Sequence, residues 1–308
     1  MSRRDVLPAA AWLAIAVGCG GEPPPEPPPA SSPGPAAAST TISGPAFRQR
    51  GPETGLDVLM RCGGMPTREI LEVNGGGIGL LDIDGDEDLD VFVAVGATLE
   101  DPAGGPGSRL FRNEGGLRFT DVTAEAGIEL RGWAFGVAVG DADGDGHDDL
   151  YVCRHGPDAL LLSNGDGTFR DATVEAGLGD AGWSTSAAFG DLDDDGDLDL
   201  FVVRYLEFDP AAPPPRAAFQ GIAVMGGPRG LKPQADRVHE NLGDGRFVDR
   251  TADWGIDRAP PGYGLNLVIL DLDGDGRREV VVGNDSNPNH VWTRADGPDG
   301  RVRFRDVG

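Results

Sequence analysis

The sequence predicts an all-β fold assembled from repeated four-stranded antiparallel units, and three observations carry that reading. The 308 residues include 49 Gly and 25 Pro, too many helix interrupters for a helical bundle. The glycines recur in register with Phe: Phe47…Gly55-Leu56, Phe119-Thr-Asp-Val-Thr…Gly127-Ile128, Phe169-Arg-Asp-Ala-Thr…Gly177-Leu178, Phe247-Val-Asp-Arg-Thr…Gly255-Ile256 and a final Phe304-Arg-Asp-Val. Copies begin 72, 50, 78 and 57 residues apart, with an Asp-rich loop between apolar strands inside each interval. Repeats of that length with several short strands each are the mark of β-propeller blades, units that cannot bury both faces alone.

Each unit can be laid out strand by strand. The eight residues before the second Asp loop alternate bulky and small, Trp133, Phe135, Val137 and Val139 against Ala134, Gly136, Ala138 and Gly140. A period of two with one bulky and one small face suits a strand held between neighbouring sheets. After the loops come the apolar strands Leu150-Tyr-Val, Leu200-Phe-Val-Val and Val280-Val-Val. Asn113-Glu-Gly-Gly, Asn164-Gly-Asp-Gly and Asn241-Leu-Gly-Asp-Gly then supply the residues that tolerate positive φ in hairpin turns. The third unit is interrupted from Arg204 to about Val238 by a segment with Pro213-Pro-Pro and Gly226-Gly-Pro. It is too irregular for a further blade and reads as a long surface loop.

The first 46 residues have a different composition. Arg3 and Arg4 precede an apolar run from Val6 to Val17 that is too short to span a bilayer, and Ala16-Val17-Gly18-Cys19 follows. Residues 1–18 therefore read as a signal peptide of lipoprotein type, with Cys19 as the lipidated first residue of the mature chain; Ser2-Arg3-Arg4-Asp5-Val6-Leu7 leaves the general secretory and twin-arginine routes both open. Residues 19–46, rich in Pro, Ala and Ser, read as an extended tether. The expected location is outside the cytoplasm, anchored to a membrane through the lipid, in an outer membrane facing periplasm or cell surface.

Charge narrows the partners. Against 26 Lys and Arg stand 51 Asp and Glu, a net charge of −25, which repels nucleic acid and anionic lipid and calls for cations or basic partners. Many of the acids are ordered into four loops: Asp82-x-Asp84-Gly-Asp86-x-x-x-Asp90, Asp141-x-Asp143-Gly-Asp145-Gly-x-x-Asp149, Asp191-x-Asp193-x-Asp195-Gly-x-x-Asp199 and Asp271-x-Asp273-Gly-Asp275-Gly-x-x-Glu279. Carboxylates at positions 1, 3, 5 and 9 of a loop that glycine lets curl offer hard anionic oxygens, the donor set that calcium takes. An EF-hand would need a bidentate acid at position 12, where this chain has Val93, Val152, Val202 and Val282, so the loops are expected at hairpin tips. Glu87 stands where the other loops have glycine at position 6, which makes loop 1 the least secure.

These loops, the tripeptides Ala134-Phe-Gly136 and Ala188-Phe-Gly190, and the phrase Asn-x-Gly-Asp-Gly-x-Phe-x-Asp-x-Thr-x-x-x-Gly resemble FG-GAP/VCBS repeat proteins, the group that includes the integrin alpha-chain propeller. The stretch from Arg204-Tyr-Leu-Glu-Phe-Asp-Pro to Asn241-Leu-Gly-Asp-Gly-Arg-Phe is similar to the cartilage acidic protein (ASPIC/UnbV-associated) branch. The resemblance covers about residues 47–308 and implies seven-bladed, calcium-binding propellers that act as extracellular binding modules. Relatives often carry cysteines in the long insertion, replaced here around Gly226, and the chain stops five residues into a new unit. The expectation is a fragment of about four blades forming an open arc, with units starting near 47, 119, 169 and 247 and a partial unit from 304 at an edge without its own blade.

Trp133, Trp183 and Tyr263 precede the first Asp of their loops by eight residues, with Asn74 in the remaining copy. The period-two count puts them on the packing face, and sugar stacking stays the alternative. His147, His155, His239 and His290 are expected at the surface, and nothing in the sequence builds a zinc site, a triad or a nucleophile elbow. Cys62 and Cys153 are left, with pairing permitted but undetermined. The expected function is a non-enzymatic calcium-binding lipoprotein propeller that binds an extracellular or periplasmic protein or a glycan. The alternatives are a calcium-dependent polysaccharide hydrolase or lyase, or a structural assembly subunit. Against the enzyme, the acids are committed to repeated loops, whereas a glycosidase pair should occur once.

Overall fold

A computed structural model describes residues 51–308. The signal peptide, Cys19, the tether and Phe47 lie outside the described residues. The first sheet is formed by β1 (Ile78–Leu81), β2 (Asp90–Val93), β3 (Arg109–Asn113) and β4 (Phe119–Asp121), and the second by β5 (Ala134–Gly140), β6 (Asp149–Pro157), β7 (Ala159–Ser163) and β8 (Phe169–Asp171). The third contains β9 (Ala181–Gly190) and β10 (Asp199–Arg204); after a small hairpin of β11 (Ala217–Phe219) and β12 (Ile222–Val224), it resumes with β13 (Arg237–Asn241) and β14 (Phe247–Asp249). The fourth is β15 (Gly264–Leu270), β16 (Glu279–Asn284), β17 (His290–Arg294) and β18 (Phe304–Asp306). Every pairing is antiparallel between successive strands of a meander, apart from β6 meeting β9 where His155 faces Trp183. These are four propeller blades.

The alternation read from the sequence is what stacks them. Val137 and Val139 of β5 lie against Gly79 of β1, where an added Cβ would stand 2.9 Å from Val137 Cγ1. Phe189 of β9 lies against Gly140 of β5, and Ile269 of β15 against Gly190 of β9, at 3.1 and 3.0 Å from the corresponding imagined Cβ atoms. At each junction the bulky row of one inner strand enters the small row of the preceding one. Apolar cores run through the three junctions, around Phe92, Leu150 and Leu161, then Tyr151, Leu160 and Leu200, then Phe201, Val280 and Trp292. The ring does not close among the described residues: β1 pairs only with β2 and β18 only with β17. Ile78 and Leu80 of β1 stay 63% and 54% exposed and Val268 of β15 50%.

One expectation changes. The strands that begin at Phe119, Phe169, Phe247 and Phe304 do not open blades; each is the outermost strand of the preceding meander, so the repeats counted from Phe run out of phase with the sheets. Phe304–Asp306 thus completes the fourth blade, with Phe304 opposite Arg294. Each such strand pairs with the third strand of its own meander, and the crossover before the blade then holds it from outside. The amides of Phe169, Phe247 and Phe304 donate to the carbonyls of Ala126, Ala176 and Trp254 in the preceding crossover, at 2.9, 2.9 and 2.7 Å, which ties an outer strand to the unit before it.

A polar residue just ahead of each third strand takes the second-strand amide two residues beyond the last pair between the two. Ser108, Asp158, Asp236 and Asn289 accept from the amides of Val95, Arg154, Arg204 and Asn284 at 3.3, 2.6, 3.0 and 2.9 Å. Without these acceptors the amides would be orphaned as the chain leaves the ladder.

The insertion is less superficial than the sequence suggests. Leu206 bridges to Pro233, and Tyr205 and Leu206 are fully buried. They join Trp133, Phe135, Trp183 and Tyr263, all buried, in a cluster that half-buried Phe208, Met225 and Leu231 cover. This cluster sits away from the acidic loops, because Gly140 pairs with Asp149 at the loop end of the β5–β6 ladder and Ala134 with Arg154 at the other.

Gly136 tests the junction geometry, since an added Cβ would lie 2.5 Å from the Thr185 carbonyl oxygen. Gly136→Val is expected to cost about 1–3 kcal/mol in urea unfolding, while Gly75→Ala, with nothing within 4 Å, stays near the parent.

Candidate functional site

The four acidic loops join the first and second strands of their blades, as hairpin tips. Position 12 falls in β2, β6, β10 and β16, where Val93, Val152, Val202 and Val282 are buried. In each loop three of the four expected acids come together: Asp82, Asp84 and Asp86; Asp141, Asp143 and Asp149; Asp191, Asp193 and Asp199; Asp271, Asp273 and Glu279, with one carboxylate oxygen from each within 4.8 Å of the others. Such a set of hard oxygens can hold a divalent cation. Asp90 stands outside the group in loop 1, as Asp145, Asp195 and Asp275 do in the others. Asp145, Asp195 and Asp275 instead accept from the amides of His147, Asp197 and Arg277, at 2.9, 3.0 and 2.8 Å.

The acids divide the work. Position 1 folds the loop: Asp82 accepts from the amides of Gly85, Asp86 and Glu87, Asp141 from those of Asp145 and Gly146, and Asp271 from those of Gly274 and Gly276. Position 9 braces it from inside. Asp90, Asp149 and Asp199 are at most 1% exposed, and each takes one amide from its loop and one from the third strand. The donors are Ile83 and Asn113 to Asp90 at 2.8 and 2.7 Å, Ala142 and Ser163 to Asp149 at 2.7 and 2.8 Å, and Leu192 and Asn241 to Asp199 at 2.9 and 3.0 Å. Glu279 accepts from Leu272 at 2.8 Å.

Burial pushes the Asp149 carboxyl up to about 6 and that of Asp199 up to about 7, against the pull of their two amides. Burial and then the Asp195 charge push Asp193 up to about 6, and burial followed by Asp145 raises Asp143. Desolvated, mutually repelling carboxylates favour a proton or a metal ion as counter-charge.

Contacts across blades were less visible in the sequence. The Asn241 side chain donates from Nδ2 to the carbonyl of Ala142 in loop 2 at 2.8 Å and to that of Leu198 at 3.0 Å, so one residue read only as part of a turn links two acidic loops. Its repetition in the Asn-x-Gly-Asp-Gly phrase was the available signal. Asp158 is buried and accepts from Tyr151 Oη at 2.8 Å and Ser184 Oγ at 2.6 Å; nothing in the repeat announced it.

The aromatic and histidine readings resolve. Trp133, Trp183 and Tyr263 are buried packing residues, with Trp183 edge-on to Tyr205 at 5.0 Å. The surface reading of the histidines fails for His239 and His290, which are 4% and 8% exposed, because both lie on third strands packed within blades. Cys62 and Cys153 are both free thiols.

A family model described as FG-GAP-like repeat matches residues 82–152 and 141–202, two overlapping spans that each begin at a loop aspartate. Residues 82–202 are thus similar to FG-GAP-like repeats. Over 70 residues the chain is 36% identical to Cartilage acidic protein 1 of Homo sapiens and 34% to that of Mus musculus, covering 23% of this chain. The match spans 10% of the length of those relatives. Among solved structures, an Agrocybe aegerita lectin that recognises non-reducing terminal N-acetylglucosamine aligns over 74% of this chain and 50% of its own, at 21% identity and a TM-score of 0.38. The V. cholerae biofilm matrix protein Bap1 aligns over 75% and 36%, at 16% identity and a TM-score of 0.33. Among the described residues no helix is long and apolar enough to cross a membrane.

The acidic loops generate two predictions. Glu87 holds φ 69°, so Glu87→Gly is expected to stabilise loop 1 by about 0.5–1 kcal/mol, read by urea unfolding. In chelator, stability is expected to fall as pH rises from 5 to 8. The raised carboxyls of Asp149, Asp193 and Asp199 bind a proton more tightly folded than unfolded, a contribution complete below the ordinary carboxyl range and lost as pH passes 6–7. Buried Asp158 and Asp236, both pushed up to about 6, add to the trend. His239, which burial holds down to about 4, opposes it. A melting temperature that rises with pH over this range would contradict the assignment.

Proposed function

We propose that this chain is a non-enzymatic binding module that works outside the cytoplasm, with calcium in its acidic loops, a lipid anchor at Cys19, and a protein or glycan as its ligand. The observation that supports the reading best is the fourfold convergence of three carboxylates at equivalent hairpin tips, in a chain that carries FG-GAP-like repeats. Asp141, Asp143 and Asp149 would hold the ion in loop 2, loops 3 and 4 follow the same pattern, and in loop 1 Asp86 takes the place that the position-9 acid has in the others. Calcium bound there would supply positive charge where burial leaves carboxylates short of it. The residues themselves fix the loop backbone, join it to the third strand and reach the neighbouring blade through Asn241.

The acids are thereby committed to architecture, which favours binding over hydrolysis or elimination. A ligand has room on the other side, beside the insertion, in a cavity of about 480 Å³ lined by His155, Gly182, Glu207, Phe208 and Gln234. The experiment has two arms. Calcium at roughly 10⁻⁴–10⁻³ M, the range of extracellular sites, should raise the melting temperature over chelator, and the gap should widen from pH 5 to 8; coincident curves refute calcium. Asp143→Ala should remove one ion from the calorimetric stoichiometry and leave the rest, and an unchanged stoichiometry refutes the ligand assignment. Glycan-array and pull-down screens of the full chain, with Phe208→Ala as the groove control, identify the ligand class.

A further inference from the structure

Two departures from the repeat coincide in space. At position 4, loops 1, 2 and 4 carry Gly85, Gly144 and Gly274, all in the left-handed region. Loop 3 carries Asp194 there, at φ 64°, a conformation that a residue with a side chain adopts less readily than glycine. The residue that ends the third strand is Asn113, Ser163 or Asn241 in the first three blades and Arg294 in the fourth. These two odd residues meet: Arg294 Nη1 donates to Asp194 Oδ2 at 2.6 Å and to the carbonyl of Leu192 at 3.5 Å.

The position is one already used at the preceding junction. Asn241 of the third blade donates to the carbonyl of Ala142, the second residue of loop 2; Leu192 is the second residue of loop 3. Arg294 therefore takes the place of that amide one junction later, and brings a charge. Its guanidinium is fixed from the other side as well, with Nε donating to Asp296 Oδ1 at 2.8 Å, and its side chain is 11% exposed. Ser163, in the equivalent place of the second blade, instead accepts from the amide of Gly165 at 3.2 Å.

We infer that Arg294 and Asp194 form a cation-supplying clamp that holds loop 3 to the fourth blade without a metal ion, so that the third-to-fourth junction stays docked when calcium is withdrawn while the remaining loops loosen. The inference rests on the calcium reading of the loops and assigns a regulatory difference among them. A loop that lacks its ion keeps its acids close only by protonation or by a counter-charge, and loop 3 has the Arg294 guanidinium bonded to it at 2.6 Å, whereas in loop 1 the 36% exposed Arg112 stands 4.0 Å from Asp84. The Asp194 side chain is 51% exposed, but the arginine is 11% exposed and held by Asp296 as well, so its charge-assisted bonds start from a side chain already fixed in place.

Backbone amide exchange on the full chain tests this, read at Ile83, Ala142, Leu192 and Leu272, whose amides all donate to a position-9 carboxylate. On moving from calcium to chelator, exchange at Ile83, Ala142 and Leu272 is expected to accelerate about tenfold, the loss of one charge-assisted bond, with Leu192 nearly unchanged. In Arg294→Asn, and in the double variant Asp194→Gly with Arg294→Asn, Leu192 should accelerate with the other three in chelator. Protection equal to the parent in calcium shows that each variant is folded. Acceleration at Leu192 of the parent to the same degree as at Ala142, or a Leu192 that stays protected in Arg294→Asn, overturns the clamp. Four amides unmoved by chelator overturn the calcium reading instead.

Discussion

A buried carboxylate holding two backbone amides, one from a loop and one from a strand, is the constraint on which the blades depend. Asp90, Asp149 and Asp199 lie in the sheet interior where an unpaired charge costs several kcal/mol. Each is made tolerable by donors that no apolar residue could use, and in return fixes where the hairpin tip sits over the third strand. The remaining acids of the loop are then forced into proximity by a backbone that is already set. Crowding of charge is thus a product of the fold, and whatever neutralises that charge acts on folding directly.

The two ends of the blades solve opposite problems with opposite chemistry. At the loop end, backbone amides turn inward and need anionic acceptors. At the other end the chain leaves each second strand against a capping residue, Ser108, Asp158, Asp236 or Asn289, and aromatic rings close the space between blades. The insertion packs there through Tyr205 and Leu206, so a segment whose composition looks like a free loop is anchored by its first residues and covers the aromatic cluster with its later ones.

Spacing in the chain made much of this legible. The loops, their hairpin setting and the exclusion of an EF-hand all follow from which residue occupies which position, with Val152 and Val202 deciding the last. The alternation of Val137 and Val139 with Gly136 and Gly140 named the stacking faces before any contact was known. Phase was not legible, because an alignment on Phe169 cannot say which sheet that strand joins; its ladder with β7, Ser163 opposite Phe169, decides it. Nor could spacing tell that Asp145 turns to the amide of His147 while Asp149 turns inward, or that His239 and His290 are enclosed, since both outcomes depend on neighbours distant in sequence.

The offset between repeat and blade also bears on how such a chain can change length. A segment running from one Phe to the next, such as residues 119–168, carries the last strand of one sheet and the first three of the following one. Excising it joins β3 directly to β8, and the resulting sheet still has four strands with its outer strand supplied by the next repeat. Every splice made at a Phe lands inside a sheet, where the ladder of hydrogen bonds across it re-forms the joint.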